Sequence, residues 1–221
     1  MSKVLVIAPH PDDETLGCGG SLFRHKDNND ELYWIIVTSL HKDDGWDKTK
    51  IENRELEIKN VNMQYGFKEF FNLKIPTTKV DTIPISIFVQ KITEIYDRIK
   101  PEIIYIPFLY DVHTDHQIIS NSLQSSIKWF RHPYIKRVLM YETLSETEFN
   151  FSVGRVFRPN VFMDITNYIS SKIKAMEIYD GELREFPFPR STKSIKALAT
   201  LRGSQSGYGA AEAFELVYER I

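Results

Sequence analysis

One imidazole and three carboxylates lie within five residues near the start of the chain, in Ala8-Pro9-His10-Pro11-Asp12-Asp13-Glu14, directly after the apolar run Val4-Leu5-Val6-Ile7. Donors of these types at the end of a buried strand point to a divalent-cation site, because unpaired carboxylates are too costly to gather without a cation or water. A second cluster, Asp111-Val112-His113-Thr114-Asp115-His116, follows the apolar run Ile103-Ile104-Tyr105-Ile106-Pro107-Phe108. Pro11 stiffens the backbone between His10 and Asp12. His113 and His116 are three apart, so on a helix they share a face. If both runs are strands of one parallel sheet, the two clusters meet at its carboxyl edge. His10, Asp13 and His116 can then converge and leave a fourth position for water, the pattern of a catalytic rather than a structural zinc site. The residues alone do not decide between His113 and His116. Cys18 is the only cysteine, which excludes both a thiolate-rich zinc site and an intramolecular disulfide.

The elements that must position these clusters alternate along the chain. Strands are expected at 4–8, 32–38, 70–75, 103–108 and 137–142, and helices at 13–25, 48–65, 83–100 and 113–130. The helix at 48–65 ends at Gly66 and the one at 83–100 is stopped by Pro101. Beyond residue 142 the pattern loosens to a helix at 168–179, a proline-rich loop at 185–190, a short helix at 194–201 and a late strand at 213–218. The expected class is α/β, a Rossmann-like and mostly parallel β-sheet sandwiched by helices, with the active site at the C-terminal ends of the strands. The chain has 221 residues, 42% of them hydrophobic, and is expected to form a single domain over 1–221. A formal net charge of −2 without a basic stripe argues against nucleic acid and anionic lipid as partners. No apolar stretch reaches spanning length and the first apolar run is too short for a signal sequence, so the expected location is the cytoplasm. A homo-oligomer stays open.

His10-Pro-Asp-Asp-Glu14 together with His113-x-Asp-His116 resembles the zinc-dependent LmbE/PIG-L N-deacetylases. Arg54-x-x-Glu57 with Gly66 nine residues on, Arg202-Gly203, and Ala211-Glu212-Ala213-Phe214 fall in the family's order, so the resemblance runs along most of the chain. It departs at Ala8-Pro9, at Val61 and Tyr65, and at Ala210, where the family commonly has other residues. The resemblance implies His10, Asp13 and His116 as ligands of Zn2+, with Fe2+ or another divalent metal accepted by the same donors. It leaves Asp12 and His113 for proton transfer and charge stabilisation, with His113 protonated, places Asp115 behind them, and makes Arg54 a substrate-binding residue. The implied reaction removes the N-acetyl group from an N-acetylated sugar, free, nucleotide-linked or in a glycoconjugate. An acylated secondary metabolite or a thiol-precursor glycoside is the alternative amide.

Several residues carry competing readings. Arg54 and Glu57 also fit an ordinary exposed ion pair on one helix face. His41 with Asp43 and Asp44 reads as a solvated loop on the substrate side of the sheet. His25 and His132 read as surface residues, Cys18 as a small packing residue, and Arg202 and Glu212 as further site candidates. Trp46, Tyr110, Phe186 and Phe188 fall in loops where an aromatic face can meet a sugar ring. Gly17-x-Gly19-Gly20 suggests a phosphate cradle, but a dinucleotide fingerprint starts directly after its strand, where this chain has three carboxylates that would repel pyrophosphate. A non-catalytic sugar- or nucleotide-binding protein is the remaining class.

Overall fold

A computed structural model describes residues 1–221. Seven strands form one sheet: β1 (Lys3–Ala8), β2 (Glu31–Ser39), β3 (Glu69–Pro76), β4 (Ile103–Pro107), β5 (Arg137–Tyr141), β6 (Val161–Asp164) and β7 (Ala211–Glu219). Their order is β3-β2-β1-β4-β5-β7-β6. The first five are parallel, and β7 runs antiparallel to both β5 and β6. The helices are α1 (Asp13–Asp27), α2 (Lys48–Tyr65), α3 (Ile85–Ile99), α4 (Thr114–Ser126), α5 (Ile169–Met176) and α6 (Thr192–Ser206).

The central strands are apolar at nearly every position because both of their faces are covered. Val4, Val6, Trp34, Ile36, Tyr105 and Tyr141 face one core with α1, α2, α5 and α6. Leu5, Ile7, Ile35, Val37, Ile104 and Ile106 face the other with α3 and α4. On α3, Phe88, Ile92, Ile95, Tyr96 and Ile99 are buried at the i, i+3, i+4 spacing of one helical stripe. Each such side chain contributes about 1.5–3 kcal/mol through burial. No helix is long and apolar enough to cross a membrane.

The sheet order reverses at β1, whose neighbours are β2 on one side and β4 on the other. A crevice opens at such a switch point beyond the carboxyl ends of the strands. The two polar clusters follow β1 and β4, the strands on either side of that crevice.

The glycine-rich stretch of α1 is a packing device. A Cβ on Gly17 would lie 2.1 Å from Cδ2 of Tyr141, and one on Gly20 would lie 2.7 Å from Cγ2 of Ile165. Tyr141 also donates its hydroxyl hydrogen to the Ile7 carbonyl at 2.9 Å.

The structure corrects four expectations. The helix after the second cluster stops at Ser126 rather than residue 130, and α6 runs on to Ser206 before Gly207, at φ +79°, ends it. Strand β6 has no counterpart among the expected elements: its residues are only half buried and its apolar run is limited to Val161–Met163. His25 and His132 are buried rather than superficial. His25 bonds Asp30 at 2.8 Å and the Tyr105 hydroxyl at 2.9 Å, and His132 bonds the Tyr134 hydroxyl at 2.7 Å.

Candidate metal centre

The first donor pair is fixed by the turn between β1 and α1. Asp12 has φ of +132°, a region L-residues rarely enter, and its carbonyl accepts the first helical N–H groups of α1, from Thr15 and Leu16. Strain of this kind costs of order 1–3 kcal/mol and persists where the surroundings enforce it. The Asp13 carboxylate takes the His10 backbone N–H at 2.8 Å, closing the turn. On the other side of the crevice His113 caps α4, its Nδ1 accepting the Asp115 N–H at 3.1 Å, and His116 sits in the first helical turn.

Three donor atoms converge. His10 Nδ1 and Asp13 Oδ2 are 3.3 Å apart, His116 Nε2 and Asp13 Oδ2 3.2 Å, and the two imidazole nitrogens 3.3 Å. Ligands about 2.0–2.1 Å from an ion at tetrahedral angles lie about 3.3 Å from each other, so this triangle has the right size. The remaining ring nitrogens are engaged from behind: His10 Nε2 by Asp115 at 3.1 Å and His116 Nδ1 by Asp111 at 2.8 Å. Carboxylates in that position hold the proton on the outer nitrogen and turn the inner lone pair towards a metal. The donors therefore fit a divalent cation. A second grouping, His10, His113 and Asp115, is more open, and its Asp115 already accepts from Thr78 and Val80 backbone N–H groups.

Electrostatics point the same way. Burial opposes charge on His10, yet Asp115 and Asp13 raise its pKa to about 9. Burial likewise opposes charge on His116, yet Asp13 and Asp111 hold it well above the usual histidine range. Asp13 is pushed up by burial but held well below the carboxylate range by His116 and His10. A buried site that stabilises positive charge on two facing imidazoles is one that calls for a cation. Asp12 is pushed well above the carboxylate range by burial and by the charge of Asp13. His113 is lowered to about 4 by burial and by His10. Burial and the charges of His10 and His116 thus work against the protonated His113 expected from the sequence. With Nδ1 assigned as an acceptor, its proton belongs on Nε2.

The centre opens into a cavity of about 550 Å³ whose lining includes His10, Asp12, Asp13, His113, Arg54 and Trp46. Arg54 is largely enclosed rather than exposed. It donates to the Pro11 carbonyl at 3.1 Å and to Glu182 at 2.6 Å, and its Nε lies 3.1 Å from Glu57. Glu182 also meets Arg190 at 3.0 Å, and Arg190 reaches Asp12 Oδ2 at 3.3 Å. An alternating chain Asp12–Arg190–Glu182–Arg54 thus braces the first motif. Sequence reasoning missed Arg190 and Glu182; the one local signal was the Phe-Pro-Phe-Pro run that ends at Arg190. Trp46 and His41 line the cavity, whereas Tyr110, Phe186 and Phe188 do not. Arg202 and Glu212 also lie outside it: Arg202 pairs with Glu142 at 2.5 Å and Glu212 with Lys172 at 2.6 Å.

Comparison with known proteins places the fold and the family. Diacetylchitobiose deacetylase of Thermococcus kodakarensis is 23% identical over 231 residues, covering 98% of this chain and 84% of that one. A conserved protein of Thermus thermophilus superposes with a TM-score of 0.78 at 24% identity, over 100% of this chain and 97% of that one. The 4-carboxy-2-hydroxymuconate hydratase of Pseudomonas putida superposes equally well, with a TM-score of 0.78 at 17% identity, over 100% of this chain and 98% of that one. The fold therefore does not by itself choose a reaction. The PIG-L family, described as GlcNAc-PI de-N-acetylase, matches residues 5–126, which hold both polar clusters and Arg54, and the chain belongs to that family.

Proposed function

We propose that this protein is a metal-dependent N-deacetylase that hydrolyses the acetamide of an N-acetylated sugar of the N-acetylglucosamine type, releasing acetate and the free amine. The observation that carries the reading is the triangle of His10, Asp13 and His116 donors beside Asp12, whose backbone is strained, in a family of de-N-acetylases. His10, Asp13 and His116 would hold the ion, which we take to be zinc. Held there, a divalent ion would supply Lewis acidity to the amide carbonyl and lower the pKa of a water towards about 7.

The chain's own residues do the rest. Asp12 accepts a proton from water as its oxygen bonds to the carbonyl carbon and the carbonyl π-electrons move onto oxygen. Burial and Asp13 favour protonation of Asp12, and a cation held beside it would favour the carboxylate, the form that accepts this proton. Neutral His113 donates a hydrogen bond from Nε2 to that oxygen as charge builds on it. The C–N bond then breaks and Asp12 returns the proton to the leaving nitrogen, which balances the reaction. Arg190 keeps the Asp12 carboxylate oriented. Arg54, anchored on Pro11 and Glu182, and Trp46 are the residues we assign to the sugar. Asp115, behind His10, positions rather than reacts.

The test combines metal content with acetate release from N-acetylglucosamine and diacetylchitobiose, for wild type and Asp12→Asn. The expected result is about one ion per chain in both proteins and a rate lower by about 10²–10⁴-fold in the variant. A metal-free wild type after loading with zinc or ferrous iron, or equal rates in the two proteins, would overturn the reading.

A further inference from the structure

The cavity wall formed by β2 and β3 carries a second built feature. Ile36 pairs with Asn72 and Thr38 with Ile75, so two steps along β2 match three along β3. The surplus residue falls at Leu73–Lys74, and Lys74 has φ of +53°, in the left-handed region that a lysine rarely takes. Three contacts hold it there. Asn72 Oδ1 accepts the Lys74 N–H at 2.9 Å and bonds the Ser39 hydroxyl at 2.9 Å, while His41 Nε2 meets the Lys74 carbonyl at 3.0 Å. Bulges next to active sites re-aim a side chain, and this one puts Asn72 and Lys74 into the lining of the cavity.

The His41 contact brings the next residue, Lys42, to the same wall, and Lys42 also lines the cavity. Neighbouring Lys79 is paired with Asp44, but Lys42 and Lys74 form no ion pair with any carboxylate. The acids of the cavity stand elsewhere. Asp12 and Asp13 belong to the candidate metal centre, Glu182 is shared by Arg54 and Arg190, Glu55 is on α2, and Glu146 follows β5 at the far side of the sheet order. Lys42 and Lys74, both solvent-exposed, thus line the cavity without a paired carboxylate, Lys74 from a strained backbone.

We propose that this wall reads an anionic substituent, phosphate or carboxylate, on the N-acetylated sugar, with Lys74 as the main specificity-determining residue and Lys42 beside it. The proposal rests on the deacetylase reading and narrows its substrate class to acidic amino sugars and sugar phosphates.

The test uses the zinc-loaded full chain. Acetate release is compared for N-acetylglucosamine, its 1-phosphate, its 6-phosphate and an N-acetylated hexosaminuronic acid, and binding of the corresponding free amines is measured by calorimetry. The phosphate and uronate arms distinguish the two anion sources. At least one anionic member is expected to exceed its neutral counterpart in kcat/KM and in affinity. That ratio should fall about fivefold in Lys74→Met and again in the Lys42→Met/Lys74→Met double variant. It should invert in Lys74→Glu and shrink with added salt. A ratio is the readout because a folding defect lowers both members together. Equal handling of charged and neutral members, or a ratio unchanged in the double variant, would overturn the proposal. Lysine-dependent binding of an anionic amine with no acetate from any acetylated sugar would overturn the deacetylase reading and leave the anion site standing.

Discussion

The chain buries two charge clusters, and they behave in opposite ways. In the first, Lys172 and Glu212 meet at 2.6 Å, Lys172 also donates to the Leu16 carbonyl at 2.8 Å, and Glu212 accepts the Gly20 and Ser21 N–H groups and the Ser21 hydroxyl. Every charge there has its opposite and nearly every lone pair a donor, so the network clips α5 and β7 onto α1 and needs nothing more. In the second, Asp12, Asp13, Asp111 and Asp115 gather around three imidazoles with Arg190 as the only permanent cation in contact. One cluster closes on itself, and the other leaves donors facing an open cavity. Burial of charge is thus common to structure and function in this molecule. What separates them is whether the opposite charge comes from the chain.

Breaking each cluster should give different failures. Asp13→Asn, which removes a proposed ligand, should give the largest effect: loss of bound ion and of acetate release with a folded chain, read by metal analysis beside circular dichroism. Glu212→Ala should do the reverse, costing about 3–5 kcal/mol of stability by stranding Lys172. Surviving molecules should keep their metal. Pairing Lys172→Met with Glu212→Gln should recover most of that loss in a denaturant titration, since a self-contained ion pair can be replaced by a neutral one. Asp111→Asn should weaken metal affinity about 10–100-fold, because His116 loses the carboxylate that orients it. Normal affinity in that variant would remove Asp111 from the centre.

The smallest expected effect is on pH dependence. Burial lowers the pKa of His25 below its ordinary value despite Asp30. A group whose folded pKa is depressed contributes stability that is present above its unfolded value of about 6.5 and is lost as pH falls through the folded value. Melting temperature should therefore drop on acidification below about pH 6.5, and His25→Gln should flatten part of that slope by roughly 2–4 °C.

Both halves of the candidate metal centre were legible in the sequence because each follows an apolar strand within a few residues, and strand ends at a parallel sheet's switch point converge by topology. The apolar runs at Val4–Ile7 and Ile103–Phe108 also carried the sheet itself. Arg190 and Glu182 were not legible. Their place depends on the segment after α5 folding back over the first motif, which no local periodicity encodes. His25 was misread for a related reason: its burial is made tolerable by Tyr105, eighty residues away. Glu212 stands in a recognisable motif, yet only the packing of α1 against β7 shows that its work is structural.

The aromatic ring of Tyr141 has a consequence for how the centre meets its ion. Its hydroxyl fastens the strand that precedes the His10–Asp13 turn, and its ring fills the space left open at Gly17 on the helix that follows. Both shoulders of the turn are therefore anchored to one rigid body, and the donors lose little freedom when they are occupied. Metal capture should resemble a key entering a cut lock rather than a hand closing: fast, with little change in hydrogen-exchange protection along α1. The selectivity of such a lock comes from a spacing that is set when the chain folds.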